Sequence, residues 1–138
     1  KVLHDAGQVL TYHNHHIEFL KINGKPVLEI IYENTNPTYV QGEPDTYWVQ
    51  AGGASPLEWC QKLKNRLPLL HLKDYKITSE IKPAICEIGS GNINFKPIIK
   101  AAEENGCVWF LVEQDTCDGD PFDSAQMSFD YIKENLCI

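Results

Sequence analysis

The chain has 138 residues, is 43% hydrophobic and 22% charged, and carries a formal net charge of −7. That length suits one domain with a real core. The acidic balance argues against nucleic acid as the main partner, because phosphate binding wants a basic surface. No apolar run approaches the roughly 18 residues of a membrane helix, and the opening Lys1-Val2-Leu3-His4-Asp5-Ala6-Gly7 reads as a helix tail, not as the charged head and apolar core expected of a signal peptide. Five cysteines (Cys60, Cys86, Cys107, Cys117 and Cys137) with no CxxC argue against a disulfide scaffold or a structural zinc site. They suit reduced core residues of a cytoplasmic protein, with Cys117 expected to be the exposed one.

In chain order, residues 1–7 read as the last turn of a helix stopped by Gly7, so further chain is expected before it. A strand follows at about 8–13, then a polar loop at 14–25. A helix starts at Pro26, with Val27, Ile30, Ile31 and Asn34 on one face. Residues 38–42 form a weaker strand that Pro44 ends. Ser55-Pro56-Leu57-Glu58 is a helix start, with a serine cap, proline at the first position and glutamate three after the cap. Cys60, Leu63 and Leu67 recur behind it at helical spacing.

Leu69 to Asp74 is a short strand that runs into charge, and 75–83 is a polar connection. Residues 84–88 form another short strand, followed by Gly89-Ser90-Gly91, whose N–H groups could approach an anion or simply form a tight turn. Asn94 to Asn105 reads as a helix, with Phe95, Ile98, Ile99 and Ala102 on one face and Gly106 as its stop. Val108 to Glu113 is apolar on both faces, as a buried parallel strand should be, which puts Trp109 in the core. Asp120-Pro121 opens the last helix, with the stripe Ala125, Phe129, Ile132 and Leu136. The alternation predicts a single-domain α/β fold over 1–138, with parallel strands and outer helices.

Each strand ends in a residue able to bind metal or move protons: His13, Asp45, His71, Glu87 and Glu113. In parallel α/β folds these ends share one rim, where sites form. Alternation puts His13 and His15 on one face, His71 with Lys73, and Glu113 with Asp115. Two imidazoles and two carboxylates, His13, Asp45, His71 and Glu113, make a candidate site for Mn²⁺, Mg²⁺, Zn²⁺ or Co²⁺. Taken singly, a strand-end aspartate can be a helix cap and a strand-end glutamate an ion-pair partner. Lys73 is a candidate acid/base or substrate-holding group, or the partner of Asp74. Trp48 is a candidate apolar wall for a sugar face.

The motifs Tyr-His-Asn-His-His-Ile-Glu-Phe (12–19), Asp-Thr-Tyr-Trp (45–48) with Gly-Gly (52–53), His-Leu-Lys-Asp (71–74), Glu-Ile-Gly-Ser-Gly-Asn-Ile (87–93) and Val-Glu-Gln-Asp (112–115) resemble the sugar phosphate isomerase/epimerase family. This is the xylose-isomerase-like barrel group, which also holds inosose dehydratases and ketose epimerases. The resemblance implies a (β/α)₈ barrel with a divalent metal at its C-terminal rim, held by His13, Asp45, His71 and Glu113. It implies that the chain matches only the C-terminal portion, about strands four to eight. In this family many relatives carry a glutamate where His13 stands, so the two-glutamate mechanism of the ketose epimerases does not carry over intact. His13, His15, Glu18 or Lys73 would supply the second proton-transfer group beside Glu113.

The expected function is therefore a metal-dependent sugar or sugar phosphate isomerase/epimerase working through an enediolate. Catalytic roles are expected for Glu113, Lys73 and His15, and substrate contacts for Glu18, Trp48 and Glu87. The alternatives are a keto-polyol (inosose-type) dehydratase, or an inactive half-barrel that only binds metal or a partner. Strand number, tilt and shear must agree before a barrel closes, and a full (β/α)₈ domain needs about 250 residues. Either this is a fragment of a longer barrel, or two copies pair through their exposed sheet edges as a homodimer.

Overall fold

Side-chain alternation in the strand β5 (Leu69–Leu72) sets the layering: Leu70 and Leu72 are buried, while Leu69 and His71 are not fully so. The apolar residues turn towards the outer helices and His71 towards the inner face. A computed structural model describes residues 1–137. Four parallel strands form its inner layer: β1 (Thr11–His13), β4 (Gln41–Glu43), β5 and β8 (Trp109–Val112). β1 pairs with β4 through Thr11–Gln41 and His13–Glu43, and β5 with β8 through Leu69–Trp109 and Leu72–Val112. The pairs are joined where Asp45 bridges His71 and the His71 N–H donates to the Pro44 carbonyl at 3.0 Å. The order is thus β1, β4, β5, β8, with all C-terminal ends on one rim.

The remaining strands depart from the all-parallel expectation. β2 (Lys21–Ile22) and β3 (Lys25–Pro26) form an antiparallel hairpin inside the expected polar loop. Asn23 and Gly24 both have positive φ, the two-residue turn that matches strand twist. β6 (Asp74–Ile77) and β7 (Pro83–Cys86) form a second antiparallel hairpin, with Asp74 opposite Cys86. The chain after β5 folds back on itself, because Tyr75 to Ile77 finds its ladder partners there. Glu87 therefore follows a hairpin strand, not a barrel strand.

The helices are α1 (Val2–Asp5), α2 (Val27–Glu33), α3 (Thr46–Ala51), α4 (Pro56–Lys62), α5 (Phe95–Glu104) and α6 (Pro121–Asn135), with a 3₁₀ turn at Ile17–Phe19. Ser55 caps α4 by accepting from the Glu58 N–H, and Asp120 caps α6 by accepting from the Phe122 N–H at 2.8 Å. α3 falls where the sequence suggests only a strand end, and Asp45 starts it by accepting from the Trp48 N–H at 3.0 Å. One core cluster joins Leu28, Tyr32, Val49, Trp59, Leu70 and Phe95.

Three expected faces are corrected. α2 buries Leu28 and Tyr32 in place of the Ile30 and Ile31 stripe, because Tyr32 reaches inward to the Tyr12 carbonyl at 3.2 Å. α6 buries Ser124 and Ser128, whose hydroxyls serve Glu87 and the Ile88 N–H, and leaves Phe129 57% exposed. In β8, Trp109 is 69% exposed, so it is not a core residue. Only one edge of β8 is paired, and no element among the described residues covers its other side. Cys137 is the exposed cysteine, while Cys117 is half-buried.

Candidate metal centre

The C-terminal rim gathers residues from all four parallel strands. His13 ends β1, Glu43 ends β4, Asp45 follows it as the α3 cap, His71 lies in β5, Lys73 follows β5, and Glu113 and Asp115 follow β8. One ligand atom each from His13, Asp45, His71 and Glu113 lies within 4.8 Å of the others. Ligands about 2.1 Å from a divalent ion lie at most about 4.2 Å apart, so small side-chain movements would close the set. Two imidazole nitrogens and two carboxylate oxygens suit Zn²⁺, Mn²⁺ or Co²⁺. The residues present fit such an ion.

Asp45 is wholly buried and works in two directions. Its Oδ1 holds α3, while its Oδ2 lies 3.2 Å from His13 Nε2 and 3.1 Å from Lys73 Nζ. Asn14, also fully buried, supports it by accepting from the Asp45 N–H. His71 is gripped on both sides, with Nδ1 2.7 Å from Glu113 Oε2 and Nε2 2.7 Å from Glu43 Oε1. If either nitrogen takes a metal, the other keeps a carboxylate partner, the usual way a ligating imidazole is oriented. From the sequence, Asp115 is only a neighbour on the Glu113 face, and Glu43 is not a candidate at all. Both lie two residues from a candidate ligand and so share its face, which was the available signal.

Lys73 lies beneath this rim with its side chain 1% exposed. Its ammonium is 3.1 Å from Asp45, 3.2 Å from Glu113 and 3.2 Å from both oxygens of Asp115. It also sits 5.5 Å above the Trp48 ring. Burial works against its charge, but Asp45 beside it and the three carboxylate contacts outweigh that and raise its pKa. Burial likewise works against the Glu113 carboxylate, and hydrogen bonds from His71 and Lys73 pull its pKa down. The Asp45 hydrogen bond raises the His13 pKa, more than burial lowers it.

The other candidates separate. The exposed His15 ring lies 5.1 Å from the His13 ring and 5.1 Å from the Trp48 ring, at the edge of the cluster. Trp48 stacks on His16, and its buried indole Nε1 has no hydrogen-bond partner among the described residues. Glu18 is turned away from the cluster. One oxygen accepts from the Tyr12 hydroxyl at 3.0 Å and the other from the His15 N–H at 2.8 Å. Glu87 also lies outside, tied to Ser124 at 2.8 Å and Gln114 at 3.1 Å. The glycine-rich turn is occupied internally. Buried Asp74 accepts from the N–H groups of Gly89 at 2.9 Å, Gly91 at 3.0 Å and Ile93 at 3.2 Å.

No family model matches the chain. It is 28% identical over 155 residues to an inosose dehydratase of Clostridium tetani, covering 100% of this chain and 51% of that protein. The chain spans about half the length of the curated relatives it matches. Among solved structures, a sugar phosphate isomerase/epimerase from Parabacteroides distasonis superposes with a TM-score of 0.81 and 31% identity, over 96% of this chain and 47% of that one. A xylose isomerase domain protein from Planctomyces limnophilus shares the fold, at a TM-score of 0.63 and 17% identity over 95% of this chain and 45% of that one.

Proposed function

We propose that this half of a xylose-isomerase-like barrel belongs to an enzyme that removes a proton beside the carbonyl of an unphosphorylated keto-polyol and expels water. The observation that carries the reading is the set of His13, Asp45, His71 and Glu113 ligand atoms within 4.8 Å of one another, with a carboxylate base in it. A bound divalent ion would polarise the substrate carbonyl and make the neighbouring C–H acidic.

Glu113 is the base. Its Oε2 is shared by His71 and Lys73, and its lowered pKa keeps it ionised and able to accept a proton. The C–H electron pair then moves into the enolate. Exposed His15 is placed to give a proton to the departing hydroxyl, so that water leaves and the double bond forms. Trp48 lines the inner side of the site, stacked on His16 and beneath the Lys73 ammonium. Lys73 is too deeply buried for the direct acid/base role its position in the sequence suggests.

Two features favour an uncharged substrate over a sugar phosphate. Glu43, Asp45, Glu113 and Asp115 face a single ammonium, which leaves the rim negative. The glycine-rich turn, the one expected anion cradle, is filled by Asp74. The relatives named inosose dehydratase favour loss of water. The Parabacteroides neighbour favours the second reading, an isomerase or epimerase using the same proton abstraction and returning the proton to carbon.

The test is incubation of the metal-loaded protein with an inosose and with unphosphorylated ketoses in deuterated water. A product lighter by one water supports dehydration, while deuterium incorporation without mass loss supports isomerisation. The absence of both with folded, metal-bound protein would overturn the reading.

The reading extends to surroundings and assembly. Five unpaired cysteines suit a reducing, cytoplasmic compartment. No helix among the described residues is long and apolar enough to cross a membrane. β1 and β8 are the two outer strands, and exposed apolar residues flank both: Val9 and Leu10 on one side, Val108 and Trp109 on the other. A second copy set edge to edge would bring four strands to four, the eight at which such a barrel closes.

A further inference from the structure

The Lys73 ammonium stands where the charge of a metal would be needed. It touches Asp45 and Glu113, two of the four candidate ligands, and also Asp115, which is not among the four. Its chain enters from the buried end of β5, and the Lys73 N–H and carbonyl are both bonded to the Thr46 hydroxyl, at 2.9 and 2.8 Å. The backbone is therefore held at this point, and the flexible part is the side chain that carries the ammonium. Asp115 faces that end with both oxygens at equal distance.

We propose that Lys73 is an internal counter-cation that holds the rim together without metal and competes with the metal for Asp45 and Glu113, and that Asp115 is the positioning residue that takes the ammonium when the metal enters. This rests on the metal reading above. Buried carboxylates without a cation repel one another, so Lys73 keeps the ligands gathered before binding. The same positive charge opposes a divalent ion a few ångströms away. Asp115 relieves that opposition by drawing the ammonium off the two shared ligands.

The experiment is calorimetric titration of Zn²⁺ and Mn²⁺ into wild type, Lys73→Met, Asp115→Asn and the double variant, with thermal melts in chelator alongside. Asp115→Asn should bind metal roughly tenfold more weakly and Lys73→Met roughly tenfold more tightly. The double variant should match Lys73→Met, since Asp115 acts only through Lys73. Lys73→Gln replaces Lys73→Met should that variant not fold. A merely structural role would weaken binding in every variant. Weaker or unchanged binding in the Lys73 variant, or an Asp115 effect that persists without the lysine, overturns the competition. If no variant binds metal, the metal reading fails by itself. The chelator melts then decide the counter-cation: the melting temperature must fall in Lys73→Met and partly recover in Lys73→Met/Glu113→Gln, and an unchanged melting temperature overturns it.

Discussion

The Asp74 carboxylate accepts from the Gly91 N–H at 3.0 Å, and the approach is so close that a Cβ on Gly91 would fall 2.6 Å from both the Asp74 carboxyl carbon and the Tyr75 carbonyl oxygen. A side chain thus fills the loop that a sequence reader would reserve for a ligand. Gly91→Ala should destabilise the protein by about 1–3 kcal/mol through overpacking. Asp74→Ala should cost as much or more, by removing the acceptor of four backbone donors, those of Tyr75, Gly89, Gly91 and Ile93. Urea denaturation checks both; an unchanged midpoint for either would show that the loop relaxes freely.

Removing a ligand should cost more metal affinity than removing its support. His71→Ala deletes a ring held between Glu43 and Glu113. The loss should exceed the roughly 10–100-fold typical of an outer partner, while Glu43→Gln should fall inside that range. Metal competition with a chromophoric chelator reads both.

His13 gives a pH signature. In the metal-free protein its pKa lies above the ordinary imidazole value of 6.5, chiefly through the Asp45 hydrogen bond. Its folded pKa exceeds its unfolded one. The stability it adds is therefore fully present below about pH 6.5 and lost as pH rises through the raised value. NMR titration of the ring should show that raised midpoint, and Asp45→Asn should bring it down. Zn²⁺ should lower it further, because a ligating imidazole must give up its proton.

Glu113→Gln should lower the rate of substrate C–H exchange by about 10²–10⁴-fold. The amide still accepts hydrogen bonds but takes no proton. Exchange at the wild-type rate in the variant would move the base elsewhere.

The sheet edges predict concentration-dependent association. Trp109→Glu puts a charge on the exposed side of β8. Light scattering should find the wild-type chain dimeric and the variant monomeric, with folding intact by circular dichroism. A monomeric wild type at high concentration would remove the second copy from the reading.

The gathering of strand-end side chains on one rim was legible because the period of two in a strand and the shared rim of parallel strands are local rules. His13, Asp45, His71 and Glu113 could be named from strand ends alone. Glu87 also stands at a strand end, but that strand belongs to a hairpin, and Ser124, met only on folding, claims its oxygen. Glu18 lies in the 3₁₀ turn after β1, where the Tyr12 hydroxyl and the His15 N–H hold its oxygens. α6 misled through its composition: an apolar stripe was visible, yet Ser124 and Ser128 face inward, because the buried Ile88 N–H and Glu87 need hydroxyls there.

By itself, the sequence determined the α/β alternation, the caps at Ser55 and Asp120, and the placing of His13, Asp45, His71 and Glu113 at the rim, since each depends on neighbours a few positions away. Only the tertiary structure decided the folding back of β6 on β7, the exposure of Trp109, and the burial of the Lys73 ammonium among Asp45, Glu113 and Asp115. Those outcomes depend on which strands lie side by side and on which charges meet out of water. The lysine's partners lie 28 to 42 positions away, beyond any local period, while the β6–β7 pairing joins residues only 6 to 12 apart and depends on which strands find a ladder.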